Sequence, residues 1–315
     1  MEKYTNSNPL RIGTDCSGIE APIQALQQLN IPYKHVWCSD TDKYCIQSIK
    51  ANYEVEIIYG DEKGPYPNGN ILQRNNHILP DIDLYVCGFP CQPFSYAGKR
   101  LGLQDVRGNV FYTCLDVIKI KKPTYFILEN VKGILSINKS NRNDKFGQTW
   151  IKIWQEIEKL GDIGYYVDWK IMNTKDYGIP QNRERVYIIG TRTPLAPYKW
   201  PEKSKMDDIK NYVDWNDTTK SNYKNWNITK INDCFFVNVG FLNTNSHFKN
   251  MCPTLTTSSN QIWNVPLQRY ANINEFLKLQ GFNTNFKIVV STTQTRKQLG
   301  NSMSVNVIKC ILQNF

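Results

Sequence analysis

Six short apolar runs punctuate the first 190 residues: LRIGT (10–14), KHVWCS (34–39), VEIIYG (55–60), DLYVCG (83–88), TYFILE (124–129) and RVYIIG (185–190). Each is rich in β-branched and aromatic residues and too short for a buried helix, so each predicts a buried strand. Between them, 20–29, 42–52, 109–120 and 146–160 have helical spacing. In the last, Trp150, Ile153, Trp154, Ile157 and Leu160 fall on one face of a helix. Strands alternating with helices predict an α/β fold, a mainly parallel sheet covered on both faces.

The texture changes after Gly190. RTPLAPYKWPEK carries three prolines between Pro194 and Pro201, and a polar stretch rich in Asn, Thr and Trp follows to about residue 265. This predicts a first domain over 1–190, a smaller irregular module over 191–268, and a return of the chain to the first domain over 269–315. INEFLKLQGF and SVNVIKCILQNF there have helical texture. Charge is uneven in the same sense. Residues 1–193 carry 24 basic and 21 acidic side chains, and residues 194–315 carry 14 and 7, within a net charge of +10. A polyanionic partner meeting the C-terminal part is expected.

Other classes are disfavoured. No apolar stretch is long enough to span a bilayer, and MEKYTNSNPLRIG lacks the apolar core of a signal peptide. A cytoplasmic setting, or a nuclear one in a eukaryote, is expected. Nine cysteines, an odd number with no C-x-x-C pair, fit a reducing compartment. His35, His77 and His247 stand at no metal-ligand spacing, so no metal site is expected.

In an open α/β sheet, ligands bind beyond the carboxyl ends of the strands. The first strand runs into DCSGIEAP (15–22) with Gly18; the second ends at Asp40 and the third near Asp61. A glycine turn followed by an acid about 20 residues later suits a nucleoside. No G-x-G-x-x-G is present, which argues against an ordinary NAD site. The fourth strand ends in GFPCQPFS, so Cys91 projects into the same crevice on a proline-stiffened turn. The fifth ends at Glu129, where burial would raise a carboxyl pKa and leave an acid able to donate a hydrogen bond. Arg183 and Arg185, just before the sixth strand, offer planar forks to a carbonyl or anionic ligand.

In these residues the chain resembles the cytosine-5 DNA methyltransferases along nearly its whole length. DCSGIEAP, CSDTDKY, YGDE, LYVCGFPCQPFS, GLQDVRGNVFY, KKPTYFILENVKGI, DYGIPQNRERVYIIG, CPTLTTS, NEFLKLQGF and QLGNSMSVNVI occur in the family's order. The resemblance implies a Rossmann-like S-adenosylmethionine methyltransferase sheet with a target-recognition domain at 191–268. It implies Cys91 as the nucleophile on carbon 6 of a cytosine flipped out of double-stranded DNA, with Glu129, Arg183 and Arg185 in the catalytic group. Ser17, Gly18, Asp40, Asp61, Pro90 and Asn301 correspond to cofactor-binding positions, and Gln92, Arg107 and Thr254 to DNA-binding ones. Phe94 to Asp105, with Gly98 and Gly102, correspond to a closing loop. A monomer is expected.

Departures from the family pattern fall in the cofactor site. The family's D-x-F-x-G-x-G-G stretch reads TDCSGIEA here. The adenine-stacking aromatic is Cys16, and a tryptophan common after the second-strand acid is Thr41, with Tyr44 a candidate substitute. Ala97 stands where relatives often carry Ser. Two alternatives stay open: a transfer-RNA cytosine-5 methyltransferase, although the Cys-Phe-Thr tripeptide of that branch is absent, and a non-catalytic DNA-binding relative.

Overall fold

The computed structural model describes residues 4–90, 109–141, 143–221, 233–241, 248–258 and 261–315. Strands β1 (Leu10–Asp15), β2 (Tyr33–Ser39), β3 (Ile57–Tyr59), β4 (Leu84–Gly88), β5 (Tyr125–Val131), β6 (Tyr165–Asn173) and β8 (Glu184–Arg192) form one sheet. Its order is β3-β2-β1-β4-β5-β8-β6. β1 to β5 are mutually parallel, and β8 runs antiparallel to both β5 and β6. The helices that follow the early strands are α1 (Ala21–Gln28), α2 (Lys43–Asn52), α3 (Asn109–Lys121) and α4 (Gln148–Glu158).

Alternation along the strands splits the core in two, because successive strand side chains point to opposite faces. Leu10, Ile12, Leu84, Val86, Tyr125, Ile127, Tyr187 and Ile189 face one layer, with α1 and the C-terminal helix α7 (Val305–Gln313). Tyr85, Cys87, Phe126, Leu128, Val186 and Ile188 face the other, with α3 and α4. The α4 stripe is anchored by Trp150, Ile153 and Ile157, all buried, with Trp150 edge-on to Trp169 of β6. One irregularity matters for the site. The β1–β2 register skips Val36 between Ile12↔His35 and Gly13↔Trp37, a bulge that sends Val36 and Trp37 into the same layer.

All six strand segments read from the sequence are present. β6 and α6 (Thr292–Asn301) are additions. β6 is an edge strand in which only Tyr165, Met172 and Asn173 of YYVDWKIMN are buried, so it lacks the unbroken apolar run of its neighbours. The polar α6 is set by a cap, the Ser291 side chain accepting from the Gln294 amide.

Beyond β8, Leu195, Tyr198 and Trp200 pack on the α1/α7 layer, and Ile209 and Val213 are buried in it. β9 (Phe236–Asn238), β11 (Ile262–Asn264) and β12 (Arg269–Tyr270) make a small antiparallel sheet. β10 (Cys252–Pro253) pairs in parallel with β7 (Gln181–Asn182). The small sheet is tied to α5 (Ile273–Gln280) by the buried Arg269–Glu275 pair, 2.8 Å apart, where Glu275 also completes a capping box with Asn272.

The α4 stripe makes a direct test. Trp150→Ala should cost about 3–5 kcal/mol of unfolding free energy. Its neighbour Ile151, on the exposed side, should tolerate Ala to within about 0.5 kcal/mol. Urea denaturation of the two variants reads the difference.

Candidate active site

The carboxyl ends of β1, β2, β4 and β5 meet at one edge of the sheet, and the reversed β8 brings its amino end to the same edge. Register fixes the neighbours: Gly88 of β4 lies opposite Glu129 of β5, and Val131 opposite Arg185 of β8. The Arg185 Nε stands 3.2 Å from Glu129 Oε1, both side chains about nine-tenths buried. Arg185 also donates to the Glu184 carbonyl at 2.8 Å. Burial pushes the Glu129 carboxyl above its ordinary value; Arg185 and Arg183 pull the other way without cancelling it. Gly88 keeps this corner open, since a Cβ there would sit 3.0 Å from Met303 Cε and 3.6 Å from Glu129 Oε2.

The turn leading to Cys91 is anchored from beside Glu129. The buried Asn130 side chain donates to the Phe89 carbonyl at 3.1 Å, and Phe89 packs against Phe111 of α3. Pro90, half-buried, is the last described residue of this turn. Cys91, Gln92, Arg107 and the Phe94 to Asp105 loop lie outside the described residues.

Next to this corner opens a pocket at the ends of β1 and β4, lined among others by Ser17, Gly18, Glu20, Glu129, Asn301 and Met303. Gly18 has φ 57° and open space where a Cβ would be, so the chain turns there with its backbone bare. Its amide donates to Asp40 Oδ2 at 2.8 Å, and Asp40 Oδ1 accepts from the Asp42 amide. Burial pushes the Asp40 carboxyl up to about 6, against these amide bonds, which favour the charged form. Ser17 donates from its hydroxyl to the Ser39 and Thr14 carbonyls. Ser17, Gly18 and Asn301 thus line the pocket and Asp40 braces its rim. Asp61 does not line it; its carboxylate is paired with Lys50 at 2.7 Å, which holds its pKa low. Nor does Tyr44 line it; Lys43 Nζ lies 5.5 Å from its ring centre. Cys16 does, and its thiol lies against Cys87, itself 3.3 Å from Cys114.

Arg183 is placed differently from the expectation. It is fully buried, and its guanidinium donates to the carbonyls of Leu255, Gly300 and Ser302 at 2.6, 3.1 and 2.6 Å. Those of Gly300 and Ser302 lie at the carboxyl end of α6, where a cation is favoured. The fork that the sequence offered to a ligand therefore braces protein backbone on both sides of Asn301. Thr254 is also turned to the protein, its hydroxyl donating to the Asn182 carbonyl where β10 meets β7.

Two buried clusters were missed. Arg74 grips Asp15 with two bonds of 2.8 and 2.7 Å, and Tyr85 and Ser39 hydroxyls complete the carboxylate. The guanidinium also lies 5.1 and 5.2 Å from the Trp37 and Tyr59 ring centres. Asp15 opens the DCSGIEAP stretch, but neither it nor Arg74 in ILQRNN stands out in the sequence as half of a buried pair. The second is Glu20, His35 and Cys38, whose ligand-type atoms all lie within 4.8 Å of one another. The β2 bulge brings His35 and Cys38, three residues apart, to the same side of the sheet, a spacing that a regular strand would split.

Comparison with known proteins decides the family. The model of the C-5 cytosine-specific DNA methylase family matches residues 15–249 and 196–315. The chain belongs to that family. It is 34% identical over 289 residues to the Type II methyltransferase M.HaeII of Haemophilus aegyptius, covering 88% of this chain and 84% of the relative. It is 40% identical over 168 residues to M.NlaIV of Neisseria lactamica, covering 53% of this chain and 37% of that longer relative. Among solved structures, the Entamoeba histolytica methyltransferase EhMeth superimposes with a TM-score of 0.66 at 19% identity, over 97% of each chain. A putative DNA modification methyltransferase of an Escherichia coli prophage gives 0.66 at 17%, over 97% of this chain and 98% of the other. These structural likenesses confirm the methyltransferase fold. Asp15 of the Asp15–Arg74 pair lines the pocket. Asp15→Asn should leave Arg74 charged and underpaired, costing about 3–5 kcal/mol in a urea melt.

Proposed function

We propose that this chain is a DNA cytosine-5 methyltransferase of the restriction-modification type, acting on double-stranded DNA as a cytoplasmic monomer. The observation that carries the reading is the Glu129–Arg185 pair beside the anchored Phe89-Pro90 turn, next to an open pocket at the same sheet edge. No helix among the described residues is long and apolar enough to cross a membrane.

The pocket suits S-adenosylmethionine in its chemistry: bare backbone at Gly18, a hydroxyl at Ser17, an amide at Asn301 and a braced acid at Asp40. Ser17, Gly18, Asp40, Pro90 and Asn301 would hold it; Asp61, outside the pocket lining, would reach it only by giving up its pair with Lys50. When bound, it supplies an electrophilic methyl group. The cytosine is flipped into the corner, because carbon 5 cannot be reached within the stack. The Cys91 thiolate bonds to carbon 6, which makes carbon 5 electron-rich. Glu129, as the acid, donates to ring nitrogen 3 and stabilises the negative charge pushed into the ring. Arg185 contacts the base carbonyl. Once carbon 5 is methylated, its proton leaves and Cys91 is expelled, restoring the aromatic ring. Arg183 acts at one remove, holding the backbone around Asn301.

Recognition of the target sequence falls to residues 191–268, with Thr254 near the bases and with Gln92 and Arg107, which flank the closing loop in the sequence, on the DNA. The charge excess of residues 194–315 suits a phosphate backbone.

Covalent trapping tests the reading. DNA carrying 5-fluorocytosine, incubated with the protein and S-adenosylmethionine, should yield a linked peptide at Cys91, and none from Cys91→Ser. An adduct with fluorinated transfer RNA instead would sink the DNA assignment. Glu129→Gln should lower kcat by about 10²–10³-fold and leave cofactor affinity within about threefold. The pH dependence follows in sign. Glu129 acts as an acid and its pKa is raised, so turnover that needs its proton persists above the ordinary carboxylate range and is lost as pH rises through that raised value. A pH profile of kcat that loses this basic limb in Glu129→Gln would support the assignment; an unchanged profile would refute it.

A further inference from the structure

Glu20 occupies a backbone conformation that suits glycine. Its φ and ψ are 61° and 52°, in the left-handed region, and the family pattern has Gly at this position. It is the N-cap of α1, yet its side chain makes no capping bond. An acidic N-cap ordinarily turns toward the helix amides. Here the carboxyl turns into the sheet and is fully buried.

What it meets there joins three segments. Glu20 Oε1 accepts from the Thr14 hydroxyl of β1 at 2.8 Å and stands 3.6 Å from His35 Nε2 of β2. The Thr14 oxygen lies 3.0 Å from the Ser17 hydroxyl and 3.4 Å from the same imidazole nitrogen. The Glu20 amide donates to the Ser17 carbonyl, which closes the turn 17–20. That turn carries Ser17 and Gly18, and Glu20 itself lines the pocket. Glu20 Oε2 and His35 Nδ1 are buried without a hydrogen-bond partner among the described residues.

The charges around the carboxyl are unfavourable to an anion. Asp15 and Asp40 are the acids that face it, Asp15 already held by Arg74; His35 and Cys38 of β2, with Tyr33 and Tyr53, complete the titratable neighbours. Burial pushes Glu20 up to about 8, against the Thr14 and Ser17 hydrogen bonds, and pushes His35 down to about 3. Both shifts favour the uncharged forms, so burial works against an ion pair between the two groups.

Resting on the methyltransferase reading above, we propose that Glu20, as a neutral acid, is a positioning residue for the cofactor: its buried carboxyl clamps the left-handed turn 17–20 to β1 and β2 and so fixes Ser17 and Gly18 at the pocket edge. Ionisation of Glu20 would put an unpaired anion in this cluster and loosen the turn. Cofactor affinity should therefore be highest where Glu20 is protonated and fall as pH rises through its raised pKa.

The test compares wild type with Glu20→Gln and Glu20→Gly. Calorimetric binding of S-adenosylmethionine is measured between about pH 6 and pH 9, beside amide hydrogen exchange at Ser17 and Gly18. The glycine variant fits the backbone better, so its unfolding midpoint should hold or rise. Its cofactor affinity should nevertheless fall at least about tenfold, with faster exchange in the turn. The glutamine variant, neutral at every pH, should keep the wild-type affinity of neutral solution and lose the decline at high pH. A glycine variant that binds and protects the turn like wild type would overturn the clamp, as would a glutamine variant as weak as glycine. A divalent metal carried one per chain by wild type and lost in Glu20→Gln would overturn it in favour of a Glu20–His35–Cys38 ligand set. Failure of wild type to bind the cofactor would refute the methyltransferase reading instead, and the exchange comparison would still decide the clamp.

Discussion

The antiparallel pairing of β8 with β5 is the constraint on which the catalytic corner rests. In a wholly parallel sheet, residues just before a strand lie at the edge away from the ligands. Reversal of β8 carries Arg185 to the carboxyl end of β5, where register sets it opposite Val131 and within reach of Glu129. A slip of one residue would turn Arg185 to the other face of the sheet and move Val186 and Ile188 out of the α3/α4 layer. The apolar residues of β8 therefore hold its charged end in place.

The same edge of the sheet concentrates buried charge. Arg183, Arg74 and Asp15 are nearly or wholly inaccessible, and an isolated charge there would be costly. Each is satisfied by several bonds rather than by one partner: three carbonyls for Arg183, and Arg74, Tyr85 and Ser39 for Asp15. Such networks contribute little net stability compared with apolar packing, but they have few alternative arrangements. Arg183 bonds to carbonyls 255, 300 and 302, and Gln280 donates to those of Leu299 and Ser302. The segment that presents Asn301 to the pocket is thereby tied to the one that follows Thr254. The place proposed for the cofactor and the place proposed for DNA share a rigid support.

Much of this was legible because local chemistry and tertiary role agree in the strands. An unbroken apolar run such as TYFILE has one stable fate, a strand covered on both faces, and Glu129 at its end stands out against it. Where the two part, the sequence is silent. β6 is a strand by virtue of its edge position beside β8, and its mixed residues do not announce that. The orientation of β8 depends on which neighbour it pairs with, which no pattern within RVYIIG encodes. Arg183 and Arg185 look alike in QNRER; the carbonyls of Leu255, Gly300 and Ser302 take one inward, and Glu129 takes the other. His35 and Cys38 are separated by the wrong period for a shared face, and the bulge at Val36 that unites them leaves no mark in a run of apolar residues.

The departures around the pocket gain a common physical sense from these contacts. Where the family places an aromatic, Cys16 instead lies against Cys87 and Cys114, thiols buried between β4 and α3. A cysteine fills less volume than a phenylalanine and offers no flat face to an adenine, so affinity has to come from elsewhere in the pocket. In the proposed cofactor site Gly18 and Ser17 would contribute through backbone and hydroxyl, and such groups bind well only when they are held in place before the ligand arrives. Ile19 anchors the turn from within the α1/α7 layer, but Ser17 and Gly18 have no apolar side chain to hold them. Glu20 supplies a buried side chain at the position where the family has none, and it connects that turn to both neighbouring strands. Loss of a stacking face and gain of a clamp are in this sense complementary: the first removes a contact with the ligand, and the second lowers the entropy that the remaining contacts must overcome.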